Sequence, residues 1–261
     1  MRIARQGLVI LPLLMVSISA TQTVTAQSQP AAGAPNLQSQ SEQLFVLANQ
    51  ARAAQGIARL QWDPALAAAA LQHCRRMVAE GPIAHRYGGE PDLTARAGDA
   101  GAHFSLIEEN VALGAYAATI HDSWMHSPGH RANLLNPDVD RVGIAVVPAN
   151  GVLYAVADYA RAVPVLAQAQ VEASIARLLR AKGMTILKDV GDARAYCANA
   201  SKGNSGPGFL MRWQNADLTV LPQPLLDRLA SGRYRQAAVG SCAPQDVEGS
   251  FTTYRVAVLL Y

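Results

Sequence analysis

The stretch that decides the fold is "SWMHSPGHRANLL", residues 123–135. Ser127-Pro128-Gly129 breaks the preceding helix. Ser127 can cap a new helix with Pro128 at its first position, so His130 is predicted to lie in the first turn. Unpaired N–H groups and the positive end of the helix favour a neutral imidazole there, which is the form that binds metal or accepts a proton. A histidine that only packs or caps fits the same spacing.

Two further histidines, His121 and His126, lie nearby but are five positions apart and do not share a helix face cleanly. Pro128 separates them from His130, so one metal ion held by all three would need an awkward chain path. The sequence contains no H-E-x-x-H, and its nearest approach to G-x-S-x-G is "GNSGP", residues 203–207, which ends in proline. These residues therefore mark neither a zincin nor a serine hydrolase.

Two other segments carry residues that can join His130. His85 lies in "GPIAHRYGGE", just after a predicted helix end, and Glu108 and Glu109 lie in "IEENVALG". Two imidazoles and a carboxylate suit a divalent cation with open positions for water. Spacing alone does not show that the segments meet.

An export signal is predicted at the N-terminus. Two arginines precede the apolar run "GLVILPLLMVSISA", residues 7–20, and the small residues that follow predict cleavage after Ala26. The run is short and contains proline, which disfavours a membrane span. Residues 1–26 are thus predicted to be a signal peptide and residues 27–40, small and polar, a disordered lead-in. The mature protein is expected to be secreted or periplasmic.

Charge is polarised along the 261-residue chain, whose net charge is +3. Residues 27–164 carry nine basic and twelve acidic residues, a net of −3, whereas residues 165–261 carry eleven and seven, a net of +4. Neither half has a dense basic cluster, which argues against nucleic acid as a partner. No stretch beyond the signal is long and apolar enough for a bilayer span, so the protein is not expected to be integral to the membrane.

The three cysteines are compatible with one disulfide in an exported protein. Cys197 and Cys242 both lie in the second half and can pair. Cys74 lies within a predicted helix, "ALAAAALQHCRRMV", and is expected to be a buried free thiol. The spacings give no zinc ribbon or finger.

Hydrophobic periodicity outlines two regions and shows no internal repeat. In the first region, two helices precede an irregular stretch, and two alternating strands joined by "ANG" form a hairpin. "RAVPVLAQ" is a linker, after which the second region mixes helices and strands. Helices are predicted over 41–58, 63–80, 115–126 and 167–182 and near 224–231, and strands within 141–160, 185–190, 209–214, 234–240 and 253–261.

Six segments, in order, resemble the CAP superfamily of cysteine-rich secretory, antigen 5 and pathogenesis-related class 1 proteins, also called SCP-like. They are "LANQARAAQGIARLQWDPALAAAA", "CRRMVAEGPIAH", "EENVALG", "SWMHSPGHRANLL", "RVGIAVV" and "LYAVADYA". The resemblance covers residues 41–160, and the scarcity of cysteine is similar to the bacterial branch. It implies an α+β fold, a three-layer α-β-α sandwich over 41–163. The mixed helices and strands after the linker predict a smaller α+β domain over 164–261, of unknown function.

The resemblance also implies a cleft lined by two histidines and commonly two glutamates, which can hold a divalent cation such as zinc. His85 and His130 match the histidines and Glu109 one glutamate, so these three are the candidate metal or catalytic residues. The other glutamate would fall near Ser127 and is absent, and Glu108 replaces the usual glycine.

The function predicted from these residues is a binding or interaction module for a small ligand, lipid or cell-envelope component. A metal-assisted, peptidase-like hydrolase that uses the same cleft is the alternative, and a purely structural envelope protein is a third. The absent fourth ligand and the lack of a marked nucleophile favour binding over catalysis.

Overall fold

The structure is a computed structural model that describes residues 37–198, 206–245 and 251–261. The predicted signal peptide, residues 27–36 of the predicted lead-in and residues 203–205 of the "GNSGP" stretch lie outside the described residues. The first helix begins at Leu37, before the predicted start, so the last residues of the predicted lead-in are helical.

The first of two sheets has four strands in the order β1-β3-β4-β2. Strands β3 and β4 form the predicted antiparallel hairpin, in which Asn150 and Gly151 supply the positive φ angles of the turn, 52° and 76°. Strand β1 is parallel to β3, and β2 is antiparallel to β4. The strands are β1 (Gln61–Trp62), β2 (Phe104–Gly114), β3 (Arg141–Ala149) and β4 (Val152–Ala162).

Five helices cover this sheet, and the second begins where the sequence predicts. One carboxylate oxygen of Asp63 accepts hydrogen bonds from the N–H groups of Ala65 and Leu66 at 2.8 and 3.1 Å, and Pro64 occupies the first helical position. The helices are α1 (Leu37–Ala54), α2 (Pro64–Glu80), α3 (Leu93–Asp99), α4 (Ala117–His126) and α5 (Pro128–Leu134). Ser127 precedes α5 as predicted, but its side chain forms no capping hydrogen bond.

Strict alternation along the hairpin divides the core between the two faces of the sheet. In β4, Ala155, Ala157 and Tyr159 pack in one cluster with residues of α1 and α4. Val156 and Ala160 point the other way and pack against α2. Helices thus lie on both faces, and the predicted α-β-α sandwich is confirmed.

Strand β2 is the element that sequence patterning misses. Residues 84–107 read as irregular, and the run Glu108-Glu109-Asn110 interrupts the apolar alternation in the middle of the strand. Glu109 and Asn110 are nevertheless buried, at 6% and 0% exposure. A strand that carries a buried polar site cannot show the hydrophobic pattern by which strands are recognised.

A smaller α+β region with a separate sheet follows, as predicted. Its four strands are ordered β5-β7-β8-β6. The short helix α7 is not part of the predicted pattern. The longer helix α6 and all four strands overlap the segments predicted for them, although the ends of the strands differ. The elements are α6 (Gln168–Ala181), β5 (Thr185–Ile186), α7 (Gly191–Cys197), β6 (Phe209–Asn215), α8 (Gln223–Ala230), β7 (Gln236–Cys242) and β8 (Tyr254–Leu260). We call the described residues up to 163 the N-terminal lobe and those from 164 the C-terminal lobe.

The two lobes are in contact where the segment before β8 passes the start of β2. The N–H of Thr252 donates to the carbonyl of Phe104 at 2.8 Å, and the rings of Phe104 and Phe251 meet edge to face, 5.4 Å apart. Of the helices in the described part of the chain, none is both long and apolar enough to cross a membrane.

The predicted disulfide is present in the C-terminal lobe. Cys197 at the end of α7 is bonded to Cys242 at the end of β7, with Cα atoms 5.8 Å apart. Cys74 is a buried free thiol that donates to the carbonyl of Tyr154 at 3.2 Å, and burial raises its pKa to about 12.

Thiol counting provides the first testable prediction. The unreduced protein is expected to show no reactive thiol when native and one, Cys74, when denatured. Reducing the Cys197–Cys242 bond, which closes a loop across 45 positions, is expected to lower the free energy of unfolding by about 4 kcal/mol in the chain-entropy treatment. Three reactive thiols in the denatured, unreduced protein would exclude the bond.

Candidate functional site

The three predicted site residues converge beside strand β2, at the edge of the first sheet. Glu109 lies in the middle of β2, His130 lies in α5, and His85 lies in the segment that follows α2. The imidazole rings of His85 and His130 have their centroids 6.4 Å apart with 51° between their planes. The side chain of His85 is 59% exposed, whereas that of Glu109 is 3% exposed and lies behind it.

Both carboxylate oxygens of Glu109 already accept strong hydrogen bonds. Nδ1 of His85 donates to Oε1 at 2.8 Å, and Nη2 of Arg96 donates to Oε2 at 2.5 Å. This geometry fixes the tautomer of His85, because the proton on Nδ1 leaves Nε2 as the nitrogen with a free lone pair. Glu109 is therefore placed to orient His85.

Arg96 is the residue that ties this arrangement together. It is 3% exposed, and its Nη1 also donates to the carbonyls of His85 and Pro91, each at 3.3 Å. A single buried guanidinium thus holds the side chain of Glu109 and the main chain of His85 at the same time. The planar fork of arginine suits such multiple contacts in a way that lysine does not.

The segment that carries His85 is anchored to α2 by a second buried charge pair. His73 is fully buried, and its two ring nitrogens face Oε1 of Glu90 at 2.7 Å and the carbonyl of Ala84 at 2.8 Å. Through these two contacts the ring of His73 links α2 to both Glu90 and the main chain next to His85. Burial by itself would raise the pKa of Glu90, but hydrogen bonds from His73 and from the Tyr87 N–H lower it below its ordinary value.

The two cleft imidazoles differ in their tendency to bind a proton. The hydrogen bond to Glu109 raises the pKa of His85, although burial opposes that effect. Burial and, second, the neighbouring His85 lower the pKa of His130. Nδ1 of His130 is buried and has no hydrogen-bond partner among the described residues. His130 is therefore the more readily neutral of the pair.

The loop around α5 is held by the side-chain amides of Asn133 and Asn110. Nδ2 of Asn133 donates to the carbonyl of Glu109 at 3.2 Å and to Oδ1 of Asn110 at 3.0 Å. Nδ2 of Asn110 in turn donates to the carbonyl of His130 at 2.9 Å. Trp124 is fully buried in the core, and its Nε1 donates to the carbonyl of Val111 at 3.3 Å.

Asp158 is a site residue that sequence reasoning missed. It lies directly opposite Glu109 on β4 and is completely buried, and neither of its oxygens has a partner among the described residues. Burial raises its pKa far above the ordinary value, and the Glu109 carboxylate raises it further. The protonated form of the Asp158 carboxyl group, which faces Glu109 across the strand pair, is therefore favoured. The one visible signal was an aspartate in the otherwise apolar strand "LYAVADYA".

The donor set fits a cation held between two imidazoles more closely than a three-ligand site. A ligating histidine commonly donates its other ring N–H to a carboxylate, which is the relation between His85 and Glu109. Direct coordination by Glu109 would require it to leave His85 or Arg96. Within the described ranges, no three His, Cys, Asp or Glu side chains are arranged around one metal position.

The remaining histidines lie outside the cleft. Nδ1 of His126 is 3.3 Å from a carboxylate oxygen of Asp122 on the surface of α4. Nε2 of His121 is buried without a partner among the described residues, and burial lowers the pKa of this side chain. Nδ1 of His103 lies 3.3 Å from the hydroxyl of Thr252. None of these contacts reaches His85 or His130.

Comparison with known proteins identifies the class. Residues 46–159 match the family "CAP: Cysteine-rich secretory protein family". This part of the chain, which contains the whole cleft, is a CAP domain.

Three similar proteins come from bacilli. "Uncharacterized membrane protein YlbC" of Bacillus subtilis (strain 168) is 31% identical over 115 residues, which are 42% of this chain and 32% of that protein. "Uncharacterized protein YkwD" of the same organism is 27% identical over 138 residues, 51% of each chain. The solved structure of an extracellular protein containing an SCP domain from Bacillus anthracis is 26% identical with a TM-score of 0.45, covering 48% of this chain and 41% of that one. The chain thus spans about a third and about half of the two curated relatives.

Proposed function

We propose that the protein is an exported binding module whose CAP cleft holds a divalent cation between His85 and His130 and presents it to an extracellular or cell-envelope ligand. The observation that carries the proposal is the pair of imidazole rings 6.4 Å apart, one of them oriented by a buried carboxylate. Export is supported by the predicted signal peptide and by the Cys197–Cys242 disulfide, a bond that persists in oxidising compartments.

Each residue has a separate part in this proposal. His85 offers Nε2 because Glu109 holds the proton on Nδ1, and His130 offers a neutral ring because it is partly buried. Glu109 supports His85 from its buried side and adds negative charge near the cation. Arg96 fixes the orientation of the Glu109 carboxylate. A bound zinc ion would supply a Lewis-acidic centre with open positions for oxygen donors of a ligand.

Binding is a better fit than hydrolysis to the positions of the carboxylates. A metal-assisted hydrolase needs a carboxylate or imidazole that can take a proton from water. Both oxygens of Glu109 are engaged, and Asp158 is buried, at 0% exposure. No other carboxylate in the described part of the chain contacts the two cleft rings in a hydrogen bond or ion pair.

Zinc titration by calorimetry tests the proposal. The wild-type protein is expected to bind one zinc ion at neutral pH, and the His85→Ala/His130→Ala protein is expected to bind none while keeping the fold, since neither side chain is part of the core. The His121→Ala/His126→Ala protein is the matched control and should bind as the wild type does. Equal binding by wild type and the cleft variant would place the metal elsewhere and contradict the proposal.

Acid is expected to weaken zinc binding through His85 first. Because its pKa is raised, His85 takes up a second proton at a higher pH than a free histidine does, and that proton blocks Nε2. His130, with a lowered pKa, stays available to lower pH. Titrations at pH values across the histidine range should show affinity falling as pH decreases. Affinity unchanged over that range would argue against imidazole ligands.

Processing is a further prediction of the proposal. Protein recovered after export is expected to begin at Gln27, as the residues before it are predicted to be a signal peptide. N-terminal sequencing provides the measurement. A protein that still begins near Met1 and stays with the membrane fraction would contradict the export prediction. The zinc titration tests the cleft independently of that outcome.

A further inference from the structure

The two sheets have the same topology, although the sequence shows no repeat. In each, a two-residue strand pairs in parallel with the first strand of an antiparallel hairpin, and the second strand of that hairpin pairs antiparallel with the remaining strand. The orders are β1-β3-β4-β2 and β5-β7-β8-β6, so the strands correspond one to one in chain order.

The helices also correspond. In the N-terminal lobe α1 and α4 pack on one face of the sheet and α2 on the other. In the C-terminal lobe α6 and α8 share a cluster with Val239 and Val258 on one face, and α7 packs through Ala193 against Ala238 and Leu259 on the other. Helix, short strand and helix follow one another in the same order in both lobes, and each first helix is followed by a glycine with positive φ, Gly56 at 68° and Gly183 at 84°.

One close contact fixes the equivalence residue by residue. A Cβ on Gly143 would lie 2.0 Å from the backbone nitrogen of Ala67, the fourth residue of α2. A Cβ on Gly240 would lie 2.2 Å from the backbone nitrogen of Arg194, the fourth residue of α7. The same strand therefore approaches the same turn of the same helix in each lobe, and in each only glycine fits.

The strand registers then show which residues of the C-terminal lobe occupy the positions of the cleft carboxylates Glu109 and Asp158. Gly143 pairs with Asp158, which pairs with Glu109. Gly240 pairs with Ala257, which pairs with Arg212. Alanine thus replaces Asp158, and an arginine replaces Glu109. The Arg212 side chain lies over α7 and donates from Nη1 to the carbonyl of Tyr196 at 3.3 Å.

We propose that the C-terminal lobe is a second, degenerate copy of the CAP fold in which an arginine has replaced the carboxylate that supports the cleft. A guanidinium only donates hydrogen bonds and is always charged, so it can neither hold a histidine in the ligating tautomer nor attract a cation. Among the described residues the chain therefore offers one cation cleft, and a ligand at the equivalent place of the C-terminal lobe must be neutral or anionic.

Glycine substitutions test the equivalence. Gly143→Ala and Gly240→Ala are each expected to lower Tm by roughly 5–10 °C, because backbone must move to admit the methyl group. Gly88→Ala is the control, since a Cβ there meets nothing within 4 Å and the backbone is unstrained. If the Gly240→Ala protein fails to fold while the Gly88→Ala control is soluble, that outcome also supports the proposal. A Gly240→Ala protein as stable as the control would overturn the proposal.

Zinc stoichiometry gives an independent test of the lost site. The His85→Ala/His130→Ala protein should bind no zinc, because the C-terminal lobe offers no cation site. Two zinc ions on the wild type, with one retained by that variant, would overturn the single-cleft inference while sparing the proposed function. A wild type that binds no zinc would contradict the proposed function, and the glycine variants would then decide the inference.

Discussion

Replacing Arg96 by methionine is expected to lower the free energy of unfolding by about 3–5 kcal/mol, since it leaves a buried carboxylate without its cation. The guanidinium is 3% exposed and donates to Glu109 at 2.5 Å. The same change removes both hydrogen bonds to the carbonyls of His85 and Pro91. Zinc affinity should therefore fall together with stability. Chemical denaturation and calorimetry measure the two effects.

Two matched variants separate positioning from stability. Arg59 is exposed and makes no side-chain contact that stabilises the cleft, so Arg59→Met is expected to leave both properties unchanged. Arg96→Lys keeps the charge but loses the planar fork, and should recover part of the stability while zinc affinity stays low. A fully stable Arg96→Met protein with wild-type zinc affinity would contradict the role assigned to Arg96.

Replacing Asp158 by asparagine is expected to stabilise the protein at neutral pH. Burial, with the Glu109 carboxylate second, raises the pKa of Asp158 in the fold, so unfolding releases its proton between the ordinary aspartate range and the pH at which Asp158 ionises in the folded protein. That linkage lowers stability as pH rises, by up to about 1.4 kcal/mol per pH unit. Asparagine cannot ionise, and its amide can still donate to Glu109.

Urea unfolding from pH 5 to pH 8 measures this effect. The stability advantage of Asp158→Asn over wild type should widen steadily as pH rises, until Asp158 ionises in the folded protein. Asp99→Asn is the control, because Asp99 is exposed and its replacement should change the free energy of unfolding little. A constant difference between Asp158→Asn and wild type would mean that Asp158 is ionised in the fold.

The sequence was sufficient for the elements whose signals are local. The cap at Asp63, the hairpin turn at Asn150-Gly151 and the break before His130 depend on residues within a few positions of one another. The resemblance to the CAP superfamily extended the prediction to the site, because it matched His85, Glu109 and His130 to cleft residues. These three residues lie within one small region of the structure.

The residues that support the site could not be predicted because burial is a property of the fold. His73, Arg96 and Asp158 have ionisable side chains, which are usually exposed, and only the packing of α2, α3 and β4 places them inside. The proposed equivalence of the two lobes escaped notice for a related reason. It rests on strand order and on one glycine contact at Gly240, while the residues at the positions of Glu109 and Asp158 differ between the lobes.

The cleft assignment is tested most directly by imidazole nitrogen NMR of the protein titrated with zinc. Zinc is expected to shift the Nε2 resonance of His85 and the resonance of one ring nitrogen of His130. Nδ1 of His85 should keep its proton, because Glu109 accepts it at 2.8 Å. Zinc-induced shifts confined to His121 and His126, with the resonances of the cleft rings unchanged, would contradict zinc binding between His85 and His130.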